Sequence, residues 1–185
     1  DGSGNYYLAF DGVDDSLSTG SIDFTGTDKM TVVAGVRKLS SATGVLLETS
    51  ASFSLASGAF AIFAPESGTN YYFSTAKSAA AAYTAAGFAA PSTNVLACSF
   101  DHAGALLADE VKPRINGTIP SLTVSSVGPA GDGPYGNYPL YIGRRGDTSL
   151  PFNGHLYQLV VRGALTADLA PIESFTADKT GVVLP

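Results

Sequence analysis

Hydrophobic positions along the chain come in short bursts separated by polar breaks, not in long stripes. Residues 6–10, 30–37, 44–48 and 60–63 are runs rich in β-branched and aromatic side chains, and 94–100, 112–116, 140–143 and 155–162 continue the series. Gly, Asp, Asn, Ser or Pro punctuates nearly every gap. Many short strands joined by turns predict an all-β fold: a sandwich, jelly roll or barrel. The period changes once, near the end. Across 167–178, Leu169, Ile172 and Phe175 recur every third residue, which predicts one helix resting an apolar face on a sheet. Asp168 stands at its N-cap, Pro171 falls in its first turn and Gly181 follows its last. The alanine-rich stretch 78–91 admits two readings: helix by propensity, or strand or loop because of Gly87 and its place between strands.

Composition narrows the function classes. With 185 residues, the chain is expected to form one domain, residues 1–185. A chain of that size buries roughly 70% of its unfolded surface and needs no staples. It opens on Asp-Gly-Ser-Gly without an initiator Met, which reads as a boundary or processing scar in a longer protein. Charged residues make up 14% and hydrophobic ones 45%, which argues against disorder. The net charge of −6, with no basic run interleaved with aromatics, counts against nucleic acid or an anionic membrane surface as partner. The stretch 78–91 is far short of the ~20 apolar residues that a membrane-spanning helix needs, so no membrane insertion is expected. Cys98 stands alone, so there is no intrachain disulfide or thiolate zinc cluster, and it reads as a small buried hydrophobe.

Two segments carry a family resemblance. The first is YLAFDGVDDSL at 7–17, followed by KMTVVAGVR at 29–37; the second is LYIGR at 140–144, followed by FNGHLYQLVVRGALT at 152–166. The order and spacing of F-D-G-x-D-D, a late I-G, then F-x-G-x-L-x-x-L-x-V and a closing helix resemble a concanavalin A-like (laminin-G-like) jelly roll over nearly the whole chain. That resemblance implies an antiparallel two-sheet jelly-roll sandwich, one sheet often concave, with one short C-terminal helix. The Gly/Ala/Thr-rich texture and the ending DKTGV are similar to laminin-G-like domains of bacteriophage and prophage virion proteins. They imply a non-enzymatic module on a virion surface or outside the cell: a capsid decoration, fibre or tail tip for structure or adhesion. Its partners would be other virion proteins or a cell-surface glycan, and it would be a homo-oligomer. The alternative is a carbohydrate-binding module of a bacterial surface protein or enzyme.

Candidate chemistry is sparse. Glucanases of this fold place Glu-x-Asp-x-x-Glu on one strand, so that alternation aims all three into one groove. Here the four glutamates, Glu48, Glu66, Glu110 and Glu173, have no second Glu within five positions. Asp14 and Asp15, like Asp109 and Glu110, are adjacent and on a strand would point to opposite faces. There are two histidines, His102 in a turn and His155 opening a strand, and no Gly-x-Ser-x-Gly elbow. No enzyme is expected, and zinc lacks ligands. Calcium is the one cofactor to weigh. Asp11, Asp14 and Asp15 could supply hard oxygen ligands, or Asp11-Gly12 could start an Asx turn, with Leu8 and Phe10 facing the core. The turn is the expected reading.

For sugar binding, Trp is absent but Tyr is plentiful. Tyr135 and Tyr138, with Arg144, Arg145 and Asp147, make the candidate ligand surface, since Tyr and Arg dominate binding hot spots. The alternative packs Tyr138 and Tyr141 into the sandwich and leaves the arginines solvated. Arg145-Gly146-Asp147 spells an adhesion tripeptide but reads as a turn. Asn116-Gly117-Thr118 is a glycosylation acceptor by pattern, while Asn-Gly between strands is first a hairpin signal.

Overall fold

A computed structural model of the chain describes residues 4–50, 52–53, 56–126 and 128–185. Within them the strands are β1 (Leu8–Asp11), β2 (Leu17–Asp23), β3 (Lys29–Lys38), β4 (Val45–Thr49), β5 (Ala59–Ser67) and β6 (Asn70–Ala76). There follow β7 (Ala80–Ala85), β8 (Ser92–Asp101), β9 (Val111–Ile115), β10 (Leu122–Ser126), β11 (Asn137–Ile142) and β12 (Asn153–Arg162). A single helical turn, α1 (Leu107–Glu110), precedes β9, and α2 (Ala170–Thr180) follows β12. One sheet has the order β1-β12-β3-β8-β9 and the other β10-β7-β6-β5-β4-β11-β2. All pairings are antiparallel, so the expected two-sheet jelly-roll sandwich with a short C-terminal helix is what forms.

Alternation along the strands builds the core. In β5, Phe60, Ile62 and Ala64 enter the main cluster, where they meet Val32, Ala34, Val36, Leu96, Cys98 and Phe100 of the facing sheet. The alternate residues Ala59, Ala61 and Phe63 pack outside it with Val45 and Phe53. On the other sheet Val33, Val95 and Ala97 lie under Ala177 of α2. Both faces of the central strands are therefore covered, which is why they read as continuous hydrophobic runs. Cys98 is fully buried, as expected.

The residues that carried the resemblance converge on one corner. Phe10 is buried, its ring 5.9 Å from that of Phe152, and any Cβ on Gly143 would collide with the Phe10 ring. The late Gly is thus where an aromatic ring from β1 passes over the backbone.

Several expectations are corrected. Leu8 is 50% exposed instead of facing the core: it is the first residue of an edge strand. Of the two readings open for 78–91, the strand one forms: β7 occupies Ala80–Ala85 with Ala81 and Ala85 in the core, and pairing to β6 and β10 overrides alanine's helix propensity. Helix α2 begins at Ala170 with Leu169 as its cap, and Asp168 Oδ1 accepts from the Ala170 N–H at 3.0 Å. Gly181 ends it in the left-handed conformation (φ 72°), its N–H donating to Ala177. Leu169 and Ile172 do pack on the sheet, but Phe175 is 50% exposed and the buried face is Glu173, Thr176, Ala177 and Thr180. The Glu173 carboxylate is tolerated there because Arg114 of β9 meets both its oxygens, at 2.9 and 3.1 Å. Asn116 and Gly117, both at positive φ, turn the chain between Ile115 and Thr118 as the hairpin signal predicts.

Candidate functional site

Asp11 is the last residue of β1, and Asp14 and Asp15 lie in the loop that follows it, not on a strand. Asp14 and Asp15 therefore do not diverge across a sheet, and one carboxylate oxygen from each of Asp11, Asp14 and Asp15 lies within 4.8 Å of the others. Asp11 Oδ1 accepts from the N–H groups of Val13 at 2.7 Å and Asp14 at 3.3 Å, and Asp15 Oδ2 accepts from Asp11 N at 3.0 Å. The Val13 N–H holds the Asp11 carboxyl below its ordinary range. These groups would give a calcium ion part of its oxygen shell. The Asx turn accounts for the same geometry with the hydrogen bonds present.

The tyrosine–arginine surface is not assembled. Tyr135 is buried, not exposed: its hydroxyl lies 3.0 Å from Thr75 Oγ1, its ring stacks on His102 at 4.2 Å, and burial pushes the phenol up. It is a core residue because the 131–136 loop folds inward over β6, and His102, in its turn after β8, is buried with it. Tyr138 is half-buried, its hydroxyl donating to the Ser57 carbonyl. Arg145 pairs with Glu48 at 3.4 Å and with Asp147 at 3.7 Å, over the Phe53 ring. Burial pushes the Glu48 carboxyl up, and Glu48 Oε1 also accepts from Gly146 N. Asp147 accepts from the N–H and hydroxyl of Ser149, so the tripeptide is a turn. Arg144 is half-buried beside it.

A different constellation is brought together at the β1–β12 edge. β1 pairs only with the first four residues of β12, Asn153 to Leu156, leaving the rest of that edge without a strand neighbour among the described residues. There β12 bulges: Leu156 opposes Val36 and Gln158 opposes Gly35, so Tyr157 is the extra residue. The Tyr7 ring lies parallel to His155, centroids 3.8 Å apart, and Tyr157 meets Tyr7 edge-on at 5.4 Å. Tyr6 is 93% exposed. Tyr6, Tyr7 and Tyr157 wall a slot of about 420 Å³, with Leu8, Ile142, Leu156 and Leu159 as its apolar lining and Gln158 as its amide. His155 Nδ1 is buried without a hydrogen-bond partner, and burial, with the Arg37 charge, pushes its imidazole down. The signal available in the sequence is the Tyr6-Tyr7 pair and the His155-x-Tyr157 spacing, which a strand pattern alone does not single out.

A larger cleft of about 580 Å³ opens between β9 and the start of α2. Its lining is largely aliphatic, Tyr83 packs against the core, and the Arg114 guanidinium is already held by Glu173 and the Gly117 carbonyl. It offers no exposed ring.

No protein-family model matches the sequence, and no curated protein does. Solved structures do resemble it. The chain is similar to a heptameric SAP-like pentraxin from Limulus polyphemus (TM-score 0.65, 13% identity, 96% of this chain and 81% of that one). It is similar to the CBM40 of the Ruminococcus gnavus IT-sialidase, bound to α2,3 sialyllactose (TM-score 0.58, 14% identity, 86% and 97%). The mouse laminin α1 chain, domains LG4-5, is a third (TM-score 0.58, 14% identity, 90% and 43%). These likenesses place the fold among concanavalin A-like jelly rolls and lend the virion reading no support. No helix among the described residues is long and apolar enough to cross a membrane.

Proposed function

We propose that the chain is a carbohydrate-binding, lectin-like domain that works outside the cell and carries no catalytic machinery. The observation behind this reading is the tyrosine-walled slot at the β12 bulge. A sugar ring presents a C–H face that packs on an aromatic ring and hydroxyls that pair with phenol and amide groups. Tyrosine supplies both at low entropic cost. The slot volume of about 420 Å³ falls within the range of about 300–1,000 Å³ for small-ligand sites. The likeness to a CBM40 bound to sialyllactose supports the same reading.

The non-catalytic part of the proposal is supported by what three of the four glutamates do. Glu48 holds Arg145 and Gly146, both oxygens of Glu110 accept from the Ala130 N–H, and Glu173 holds Arg114. Each is buried and engaged in the framework. Isothermal titration against the hits of a glycan array tests the reading. Saturable binding that Tyr6→Ala and Tyr157→Ala each weaken about tenfold or more is expected, a loss of about 1.4 kcal/mol. Absence of saturable binding, or binding untouched by both variants, would overturn it.

A further inference from the structure

We infer that the slot takes neutral sugar residues and discriminates against sialylated or otherwise anionic ones. This rests on the lectin-like reading above and names its ligand class. None of the residues lining the slot is charged, and its polar side-chain groups are the tyrosine hydroxyls and the Gln158 amide. An anionic sugar would have to bring its carboxylate against Leu8, Ile142 and Leu159 with no cation among the lining residues to receive it, and an unpaired charge is costly to desolvate.

Four of the ten cations are held in place away from the slot. Arg114 is bound to Glu173, Arg145 to Glu48 and Asp147, and Lys29 to Asp28 and Asp101. Lys38 is fully buried, donating to the Gly68 carbonyl. Arg37 is the cation to test, because it pairs across the sheet with His155, whose ring carries Tyr7. Arg37 is not part of the slot lining. The net charge of −6 gives anions no general attraction either. Binding would therefore come from ring contact. Tyr6, with no ring partner among the described residues, offers a free face at the mouth, and Tyr157 is aimed by the bulge.

The distinction runs against the neighbour seen with sialyllactose, so it is open to direct test. Lactose, cellotriose and chitotriose are titrated beside α2,3- and α2,6-sialyllactose, with salt varied between about 50 and 500 mM. At least one neutral sugar should bind with a Kd that changes less than about twofold across the salt range, the sialylated ones at least about tenfold more weakly. Tyr157→Phe should keep most of the affinity and Tyr157→Ala lose it; Tyr6→Ala, at an exposed position, serves if Tyr157→Ala does not fold. Tighter binding of sialyllactose, weakened by salt and abolished by Arg37→Ala or Arg145→Ala, would overturn the neutral-sugar inference while leaving a lectin. No binding of either class by folded protein would overturn both.

Discussion

His102 shows how one buried side chain ties a loop to a sheet. The Gly133 carbonyl, 3.0 Å from Nδ1, can only accept, so Nδ1 carries the proton and Nε2 accepts from the Thr75 hydroxyl at 2.7 Å. Burial pushes the imidazole below its ordinary value. As pH falls through about 6.5, the unfolded chain takes up a proton that the folded one refuses, so stability drops until the folded value is reached. The melting temperature should fall between about pH 7 and pH 5, and His102→Gln should flatten that slope. His155 is also pushed down and adds with the same sign, so some slope persists in that variant. Glu48 and Glu110, pushed up by burial, act oppositely and become important only near their own titration range. An unchanged slope in His102→Gln would remove His102 from the account.

At the scale of elements, α2 lies on the five-stranded sheet by close approach instead of large apolar side chains. A Cβ on Gly35 of β3 would sit 2.5 Å from Thr180 Cγ2 and 2.9 Å from Thr176 Cγ2. Gly35→Val should cost about 1–3 kcal/mol by overpacking and speed amide exchange in α2 selectively. A loss of stability with α2 protection intact would place the strain elsewhere. The same contact explains why the helix face was misread from sequence: Phe175 marks a period of three, yet the helix turns threonines inward because Gly35 leaves room only for their methyls. The central strands were legible because both their faces are buried. The edge strands β2 and β10 were not, since their side chains are mostly exposed and pairing alone makes them strands. The slot was hidden for a related reason: Tyr7 and His155 are far apart in sequence, and only the β1–β12 register brings them together. Tyr135 failed as a site residue because a Gly/Pro-rich loop that looks solvent-facing folds onto His102.

For the whole molecule, the buried carboxylates Glu48, Glu110 and Glu173 are engaged in ion pairs and a loop anchor, as the proposed binding role requires. Incubation with a β-glucan should therefore release no reducing sugar above a buffer control; release abolished by Asp14→Asn or Asp15→Asn would contradict a binding-only domain. The shortness of β1 has one more consequence. Beyond Leu156, β12 has no strand neighbour on that side among the described residues, and such a rim of backbone N–H and C=O groups is a template for another strand. The bulge at Tyr157 shifts that rim out of regular register at its first free position, and Tyr6 and Tyr7 stand beside it. The irregularity that displaces Tyr157 toward the slot thus also blunts the edge against pairing with the edge of another sheet, and a regular β12 would lose that protection.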